Sequence, residues 1–243
     1  MEKRIDGFSK LSKEEKIDWI TRTHFKNSTA AASLLSSYWN SDPSLQTQHD
    51  EFIENTLTNF YMPLGVAPNF LINKSLFTLP MVIEESSVVA AAGNAAKFWL
   101  NKGGFKAEVI DTLKVGQVHF LYKGNPELLY TFFKKNKKTL IHVTSELTQK
   151  MELRGGGIVS LDLVSKTTAL PNYYQLDVRF KTADAMGANF INSCLESLAT
   201  AFENLAAKEP FFMEKEASIE ILMSILSNYV PECLVKASVS CSV

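Results

Sequence analysis

Two adjacent glutamates, Glu84 and Glu85, are the residues of this sequence best suited to acid–base chemistry. They follow the apolar run of residues 76–83 and precede Ser86, Ser87 and an alanine-rich segment, so we expect them between a strand and a helix. A buried junction with a neighbouring carboxylate raises a carboxyl pKa, which suits proton transfer. Acidic residues also complement the dipole at helix starts, so on this physics alone the catalytic and structural interpretations are equally open.

A second candidate segment, residues 182–189, opens a long predicted helix that extends to about residue 207. Asp184 can cap this helix, and Gly187 and Ala188 leave its first turn without bulky side chains. The N–H groups and dipole of a helix N-terminus favour anions, so another chain or a flat cofactor can reach the backbone here. Three consecutive glycines, residues 155–157, permit a similar approach but lack the spacing of a dinucleotide-binding glycine motif.

The composition is that of a globular protein and excludes several function classes. The chain has 243 residues and a formal net charge of −1, which gives no support for binding nucleic acid or an anionic membrane. The apolar runs are too short to span a bilayer, and residues 1–6 do not resemble a signal peptide. Three cysteines and four scattered histidines, without metal spacing, predict a cytoplasmic protein with neither disulfides nor a metal site.

The first part of the chain is predicted to be a helical segment followed by a hairpin and a further helix. Ser12 and Glu15 are spaced as a capping box, and the prolines and glycine of residues 61–68 interrupt the helical pattern. Ser86 or Ser87 is the expected cap of the alanine-rich helix. The predicted elements are helices over residues 9–24, 29–39 and 48–59, strands over 69–72 and 76–83, and a helix ending at residue 100.

A second unit begins after the helix-breaking residues 102–105. Its pattern predicts the order β-α-β-β-α-β, the ferredoxin-like split arrangement. The lysine-rich residues 134–138 suit a solvated helix C-terminus better than a phosphate site. The predicted elements are strands over residues 114–122, 158–164, 173–180 and 218–227, helices over 126–138, 145–153 and 182–207, and a last strand within 234–243.

Several short motifs, taken together, resemble the bacterial type (class II) of 3-hydroxy-3-methylglutaryl-coenzyme A (HMG-CoA) reductase. Each motif is weak alone, but they occur in the order of the family and cover nearly the whole chain. The matching segments are Glu54-Asn55 and residues 63–67, 80–97, 103–105, 155–157, 184–189 and 226–228.

The resemblance implies an α+β fold with an incomplete large domain and an inserted small domain. Residues 1–110 would be the N-terminal part of a large acyl-CoA-binding domain, and residues 111–228 a ferredoxin-like domain that binds NAD or NADP. Residues 229–243 would return into the large domain. The resemblance further implies a homodimer or higher homo-oligomer, with no nucleic-acid or membrane partner. Its reaction is two successive hydride transfers that interconvert HMG-CoA with mevalonate and CoA.

The same resemblance assigns roles to individual residues. Glu85 matches the catalytic glutamate of the family, and Ser87 matches a serine that contacts the substrate. The acid that selects NAD would fall near Thr148, which is not acidic, so the choice between NAD and NADP stays open. The cofactor-binding segments contribute Asp184, Met186, Gly187, Asn189 and Asn228.

The remaining catalytic residues of the family are a lysine, a second acid and a late histidine. Their motifs lie beyond Val243, so the resemblance predicts a truncated chain that is inactive alone. The alternative from another class is a non-catalytic dinucleotide- or acyl-CoA-binding module, or a partner subunit. The direction in which the reaction runs is not predicted.

Overall fold

The computed structural model describes residues 3–212 and 218–242, which belong to two compact units. The first unit runs to Phe105 and resumes at Val239, and the second comprises Lys106–Ser238. Both units mix helices with antiparallel strands, as the predicted α+β class requires. The helices and strands of the first unit are α1 (Lys13–His24), α2 (Thr29–Ser37), α3 (Pro43–Asp50), β1 (Leu64–Ile72), β2 (Ser75–Val82) and α4 (Val88–Leu100).

The N-terminal helices begin at residues that satisfy their free N–H groups. At α1 the predicted capping box is confirmed, because the Glu15 N–H donates to the Ser12 hydroxyl and the Ser12 N–H donates to the Glu15 carboxylate. The predicted helix over residues 48–59 is wrong. Its place is taken by α3, which begins at Pro43 because the Asp42 carboxylate caps its first N–H groups and proline suits a first helical turn.

The predicted hairpin is confirmed, with β1 and β2 paired antiparallel. Strand β1 begins at Leu64 rather than at residue 69, since an irregularity in the pairing takes up Pro68, which has no N–H to donate. Helix α4 packs on β1. The two come close at Gly65, where an added Cβ would lie 3.3 Å from the Val89 side chain, so the start of α4 is seated directly on the strand.

The predicted end of α4 at the two glycines is confirmed, and the chain there returns to β1. Gly104 has a φ of +72°, and an added Cβ would collide with the carbonyl oxygen of Leu71. The Phe105 N–H donates to that oxygen at 2.7 Å, and the Asn73 N–H donates to the Phe105 carbonyl at 2.9 Å. The helix and the hairpin are therefore joined at both ends of α4.

The second unit contains a four-stranded antiparallel sheet in the order β5-β6-β4-β7, and a separate antiparallel pair of β3 with β8. The order β-α-β-β-α-β is present, with the short helix α6 added after α5. The bounds are β3 (Lys106–Asp111), β4 (Lys114–Tyr122), α5 (Pro126–Val143), α6 (Ser145–Glu152), β5 (Gly157–Ser165), β6 (Tyr173–Lys181), α7 (Ala188–Ala206), β7 (Ile219–Ser227) and β8 (Leu234–Ser238).

One face of the sheet forms the core with α5 and α7. Gly116 of β4 lets α7 approach, because an added Cβ would lie 2.8 Å from the side chains of Ile191 and Leu195. Helix α5 continues to Val143, so the prediction that residues 134–138 end this helix is wrong. The apolar face of α5 extends beyond those lysines, and its buried residues are Leu129, Phe132, Phe133 and Leu140.

The strands β7 and β3 differ from the sequence interpretation. Alternate residues of β7 do not stay on one face, since a register shift opposite His119 and Phe120 leaves Met223 and Ile225 exposed. Strand β3 was not predicted, and it pairs with β8. These two paired strands belong to the second compact unit, which comprises Lys106–Ser238.

Candidate functional site

Glu84 and Glu85 lie in the turn between β2 and α4, as the sequence predicts. Both side chains are exposed. The burial on which the acid–base argument rested is therefore absent in the part of the chain that the structure describes. The turn leads directly into α4, and the contact between the start of α4 and β1 fixes its position.

Ser87 orients Glu85 instead of capping α4. It stands at the N-cap position that was predicted, but its side chain makes no cap hydrogen bond with the helix. Its hydroxyl donates to Glu85 Oε1 at 3.2 Å. The two residues that the resemblance assigns to catalysis and to substrate contact are thus neighbours, and a serine hydroxyl holds one oxygen of the carboxylate.

The second candidate segment is a tight turn before α7. Thr182 is buried, its hydroxyl donates to the Ala185 carbonyl at 2.6 Å, and the Ala185 N–H donates to the Thr182 carbonyl at 3.0 Å. Helix α7 begins at Ala188 rather than at residue 182, with Gly187 as its N-cap in the left-handed conformation. The prediction that Asp184 caps the helix is wrong, because the chain turns between Asp184 and the first helical residue.

The N-terminus of α7 has the features that the anion-site prediction requires. Among the residues that the structure describes, no side chain caps it, so its first N–H groups lack a side-chain acceptor there. Asp184, Met186 and Asn189 are exposed around it. Gly187, with a φ of +79°, is packed against Thr182, where an added Cβ would lie 2.5 Å from Cγ2. The role of this glycine in the structure is therefore to close the turn on Thr182.

The sheet brings three of the predicted segments to one end, which we call the 182–189 end. Strand β6 finishes at Lys181, directly before the turn, and its partner across the sheet is Gly157 at the start of β5. Strand β7 finishes at Ser227, directly before the exposed Asn228. Val115 of β4 pairs with Ser227 on one side and with β6 on the other. The glycines, the α7 turn and Asn228 therefore meet at this end.

Gly155 and Gly156 have different surroundings at this end. An added Cβ on Gly156 would lie 2.5 Å from the Lys181 carbonyl oxygen, so this residue is required for packing against β6. Gly155 faces open space with a φ of +79°. Thr148, near which the resemblance places an acid, is buried, and its hydroxyl donates to the Ser145 carbonyl at 3.3 Å. It is not available to contact a ligand.

A charged cluster at the same end was missed by the sequence interpretation. The Arg179 guanidinium forms ion pairs with Asp177 on its own strand and with Glu232, which follows Asn228 in the loop after β7. Asp177 also accepts a hydrogen bond from Gln117 at 3.0 Å. A signal was available, because Asp177 and Arg179 alternate with buried apolar residues of β6, and so share the face of the strand opposite the core.

Residues 3–212 and 218–242 contain no group of three or more His, Cys, Asp or Glu side chains that could hold a metal ion. The helices formed within these ranges are too short or too polar to cross a membrane. Two separate candidate sites remain. The first unit carries a carboxylate with its serine, and the second unit carries helix N–H groups with nearby amide side chains.

Solved structures show the class of protein to which this fold belongs. A 3-hydroxy-3-methylglutaryl-coenzyme A reductase of Streptococcus pneumoniae superposes with a TM-score of 0.68 and 30% identity, covering 96% of this chain and 58% of that chain. A class II HMG-CoA reductase structure from the same organism, bound to NADPH in open conformations, has a TM-score of 0.68 and 31% identity, with the same coverage.

The family follows from the sequence match. The chain matches the hydroxymethylglutaryl-coenzyme A reductase family over residues 12–243, and it belongs to that family. The 3-hydroxy-3-methylglutaryl-coenzyme A reductase of Archaeoglobus fulgidus is 30% identical over 237 residues, which are 98% of this chain and 51% of the relative. A probable HMG-CoA reductase of Borreliella burgdorferi is 30% identical over 193 residues, 78% of this chain and 41% of the relative.

These matches confirm the resemblance inferred from the motifs. They also show that the chain spans about half the length of the curated relatives it matches.

Proposed function

We propose that this chain forms part of an oxidoreductase that interconverts HMG-CoA with mevalonate and CoA by two hydride transfers, from NAD(P)H in one direction and to NAD(P)+ in the other. The observation that carries the proposal is the family match over residues 12–243, because it includes both the Glu84-Glu85 turn and the 182–189 end of the sheet. The proposal includes the homo-oligomer, the cytoplasmic location and the role in mevalonate and isoprenoid metabolism that the resemblance implies.

Glu85 is the proposed catalytic residue. Hydride delivery to a thioester carbonyl builds negative charge on the oxygen, and a nearby proton donor stabilises that charge. The Ser87 hydroxyl, 3.2 Å from Glu85 Oε1, holds one carboxyl oxygen and leaves the other free for proton transfer. Ser87 is also the proposed substrate contact. Because a glutamate acts as an acid only where its surroundings favour the protonated form, the exposed turn would be covered when the enzyme is assembled.

NAD or NADP is the proposed cofactor at the 182–189 end, where it supplies or accepts the hydride. The uncapped N-terminus of α7 offers N–H donors suited to phosphate oxygens. The exposed amides of Asn189 and Asn228 can donate to polar groups of a nucleotide. Asp184 and Met186 flank the turn, and Gly187 holds its shape. A relative of 31% identity was solved with NADPH, which supports the phosphorylated form.

The activity is tested on the protein produced from the complete reading frame. Mevalonate- and CoA-dependent reduction of NAD+ and of NADP+ is followed by absorbance, for the wild type, Glu85→Gln and the matched control Glu84→Gln. Loss of a general acid typically lowers turnover about 10²–10⁴-fold, and we expect a loss of this size for Glu85→Gln alone. Wild-type turnover by Glu85→Gln would refute the assigned role.

The exposure of Glu85 in the described chain is the observation that favours the alternative, a non-catalytic dinucleotide- or acyl-CoA-binding module or partner subunit. This alternative predicts binding of NADPH or CoA without turnover in the same assay. Gly187→Val tests the assignment of this turn to the cofactor, since it should weaken NADPH binding by distorting the α7 turn. Unchanged NADPH affinity, measured by titration calorimetry, would contradict the assignment of this turn to the cofactor.

A further inference from the structure

We infer that Arg179 is a positioning residue for the cofactor site, acting through the loop of residues 228–233. This loop carries Asn228 and leads from β7 towards β8. Arg179 ties the far end of the loop to the sheet through Glu232. The inference rests on the proposed function, because Asn228 contacts a cofactor only in that proposal.

The guanidinium of Arg179 is held from two sides. Its Nε donates to Glu232 Oε1 at 3.0 Å, and its Nη1 donates to Asp177 Oδ1. Asp177 is itself fixed by the Gln117 amide, which donates to Oδ2 at 3.0 Å. The Arg179 side chain is 22% exposed, so solvent competes little for these bonds. The planar guanidinium binds the two carboxylates in fixed orientations. Because Glu232 belongs to the loop, this geometry restricts the position of the loop.

A second contact holds the next residue of the loop. Lys114 Nζ, on β4, donates to Cys233 Sγ at 3.3 Å. The beginning of the loop is closed locally, because the Tyr229 N–H donates to the Ser227 hydroxyl at 3.1 Å. Asn228 lies within this closure, between Ser227 and Tyr229, and the far end of the loop is fixed at Glu232 and Cys233. Its position relative to the sheet therefore depends on both ends of the loop.

Arg179 is placed to link Asn228 with the α7 turn. In the sheet, Val115 pairs with Arg179 on one side and with Ser227 on the other, so all three lie in one row across β6, β4 and β7. Asn228 follows this row at β7, and the turn of residues 182–187 follows it at β6. A displacement of the loop after β7 would therefore separate the two segments that the cofactor must contact together.

The charges favour a positioning role over a stabilising one. Partly buried ion pairs contribute little net stability, because desolvation offsets their attraction. Glu232 Oε2 is buried and has no hydrogen-bond partner within the part of the chain that the structure describes, which is a further cost. Removal of the Arg179 guanidinium would leave Asp177 and Glu232 facing each other without a cation. Their repulsion would displace the loop while the core of the sheet remains intact.

The test is a titration of the chain with NADPH, followed by nicotinamide fluorescence, together with a thermal melt of each variant. We expect Arg179→Gln and Glu232→Gln to raise the Kd for NADPH on the order of tenfold, the loss typical when a group that orients a ligand contact is removed. Arg179→Lys should restore part of the affinity, because lysine supplies the charge without the fork. The double variant Arg179→Gln/Glu232→Gln should bind NADPH no more weakly than Arg179→Gln alone, because both substitutions break the same Arg179–Glu232 contact.

The matched control is Lys135→Gln, which breaks the Lys135–Glu209 ion pair elsewhere in the same unit, at 2.6 Å. This variant should bind NADPH as the wild type does. A purely structural role of Arg179 would lower the melting temperature and leave the Kd of the folded protein unchanged, which would overturn the inference. If Arg179→Gln does not fold, Glu232→Gln decides, because it keeps the Arg179–Asp177 pair.

The outcomes also separate this inference from the proposed function. Wild-type affinity in both Arg179→Gln and Glu232→Gln would overturn the positioning role and leave cofactor binding standing. A wild-type chain that binds neither NADPH nor NADH would refute cofactor binding at this end, and the positioning role with it.

Discussion

Replacement of Gly187 by alanine tests whether the turn before α7 is closed as the structure shows. Gly187 has a φ of +79°, and an added Cβ would lie 2.5 Å from Thr182 Cγ2 and 2.9 Å from Thr182 Cβ. The left-handed conformation costs an alanine roughly 1–2 kcal/mol relative to glycine. Overpacking against Thr182, which is buried, adds roughly 1–3 kcal/mol. Gly187→Ala should therefore lower the free energy of unfolding by roughly 2–5 kcal/mol.

Gly155→Ala is the matched control, since Gly155 has the same φ of +79° but nothing within 4 Å of an added Cβ. It should lose only the conformational part, roughly 1–2 kcal/mol. Urea unfolding followed by circular dichroism measures both variants. Placing Gly187→Ala in a Thr182→Ser background removes the clashing Cγ2 but keeps the hydroxyl that bonds to Ala185, so it should recover part of the loss.

Equal losses in Gly187→Ala and Gly155→Ala would refute the close contact with Thr182. A stability loss of Gly187→Ala that is unchanged in the Thr182→Ser background would also refute this contact. A larger loss for Gly187→Ala that Thr182→Ser relieves would establish that this glycine is required by packing as well as by φ.

Three further predictions concern other parts of the chain. Burial would raise the pKa of Asp50, but hydrogen bonds from Lys13 and a neighbouring glutamine hold it below its ordinary value. The stabilisation is therefore present above about pH 4 and lost as the pH falls through the folded pKa, and Asp50→Asn should flatten this pH dependence of the urea midpoint. Gly116→Ala should lower stability by roughly 1–3 kcal/mol through overpacking under α7. Burial raises the pKa of the Cys194 thiol to about 11, so at pH 8 iodoacetamide should label Cys241 first.

Each of these has a contradicting result. If the urea midpoint of Asp50→Asn depends on pH as that of the wild type does, the Lys13–Asp50 pair does not contribute to stability. An unchanged urea midpoint for Gly116→Ala would show that α7 does not require the glycine. Labelling of Cys194 as fast as Cys241 in the native protein, and not only in urea, would contradict its burial.

Elements whose signals are local could be predicted from the sequence. The capping box of α1 and the bounds of β4 follow from spacing and alternation within a few residues. Strand β3 could not be predicted, because it pairs with β8, which lies more than a hundred residues later in the chain. The start of β1 was missed because Pro68 argues against a strand, and only the irregular pairing with β2 accommodates it.

The candidate sites also combine residues that local sequence signals identify with surroundings that depend on distant parts of the chain. The motif residues Glu85, Ser87 and Gly187 were identified from the sequence, since each stands in a short, recognisable segment. Their physical surroundings were not, because burial depends on what packs over a turn rather than on the turn itself. The Arg179–Glu232 pair joins residues that are distant in sequence, and nothing in either segment alone specifies that they meet.

The most direct test of the central claim is to locate where the cofactor binds. A ¹⁵N-labelled sample of the chain is titrated with NADPH, and the backbone amide shifts are mapped. We predict that the largest shifts occur at the N-terminus of α7, from Gly187 to Phe190, and at Asn228, while amides of α5 stay unchanged. Shifts confined to other segments, with the 182–189 end unaffected, would contradict the account.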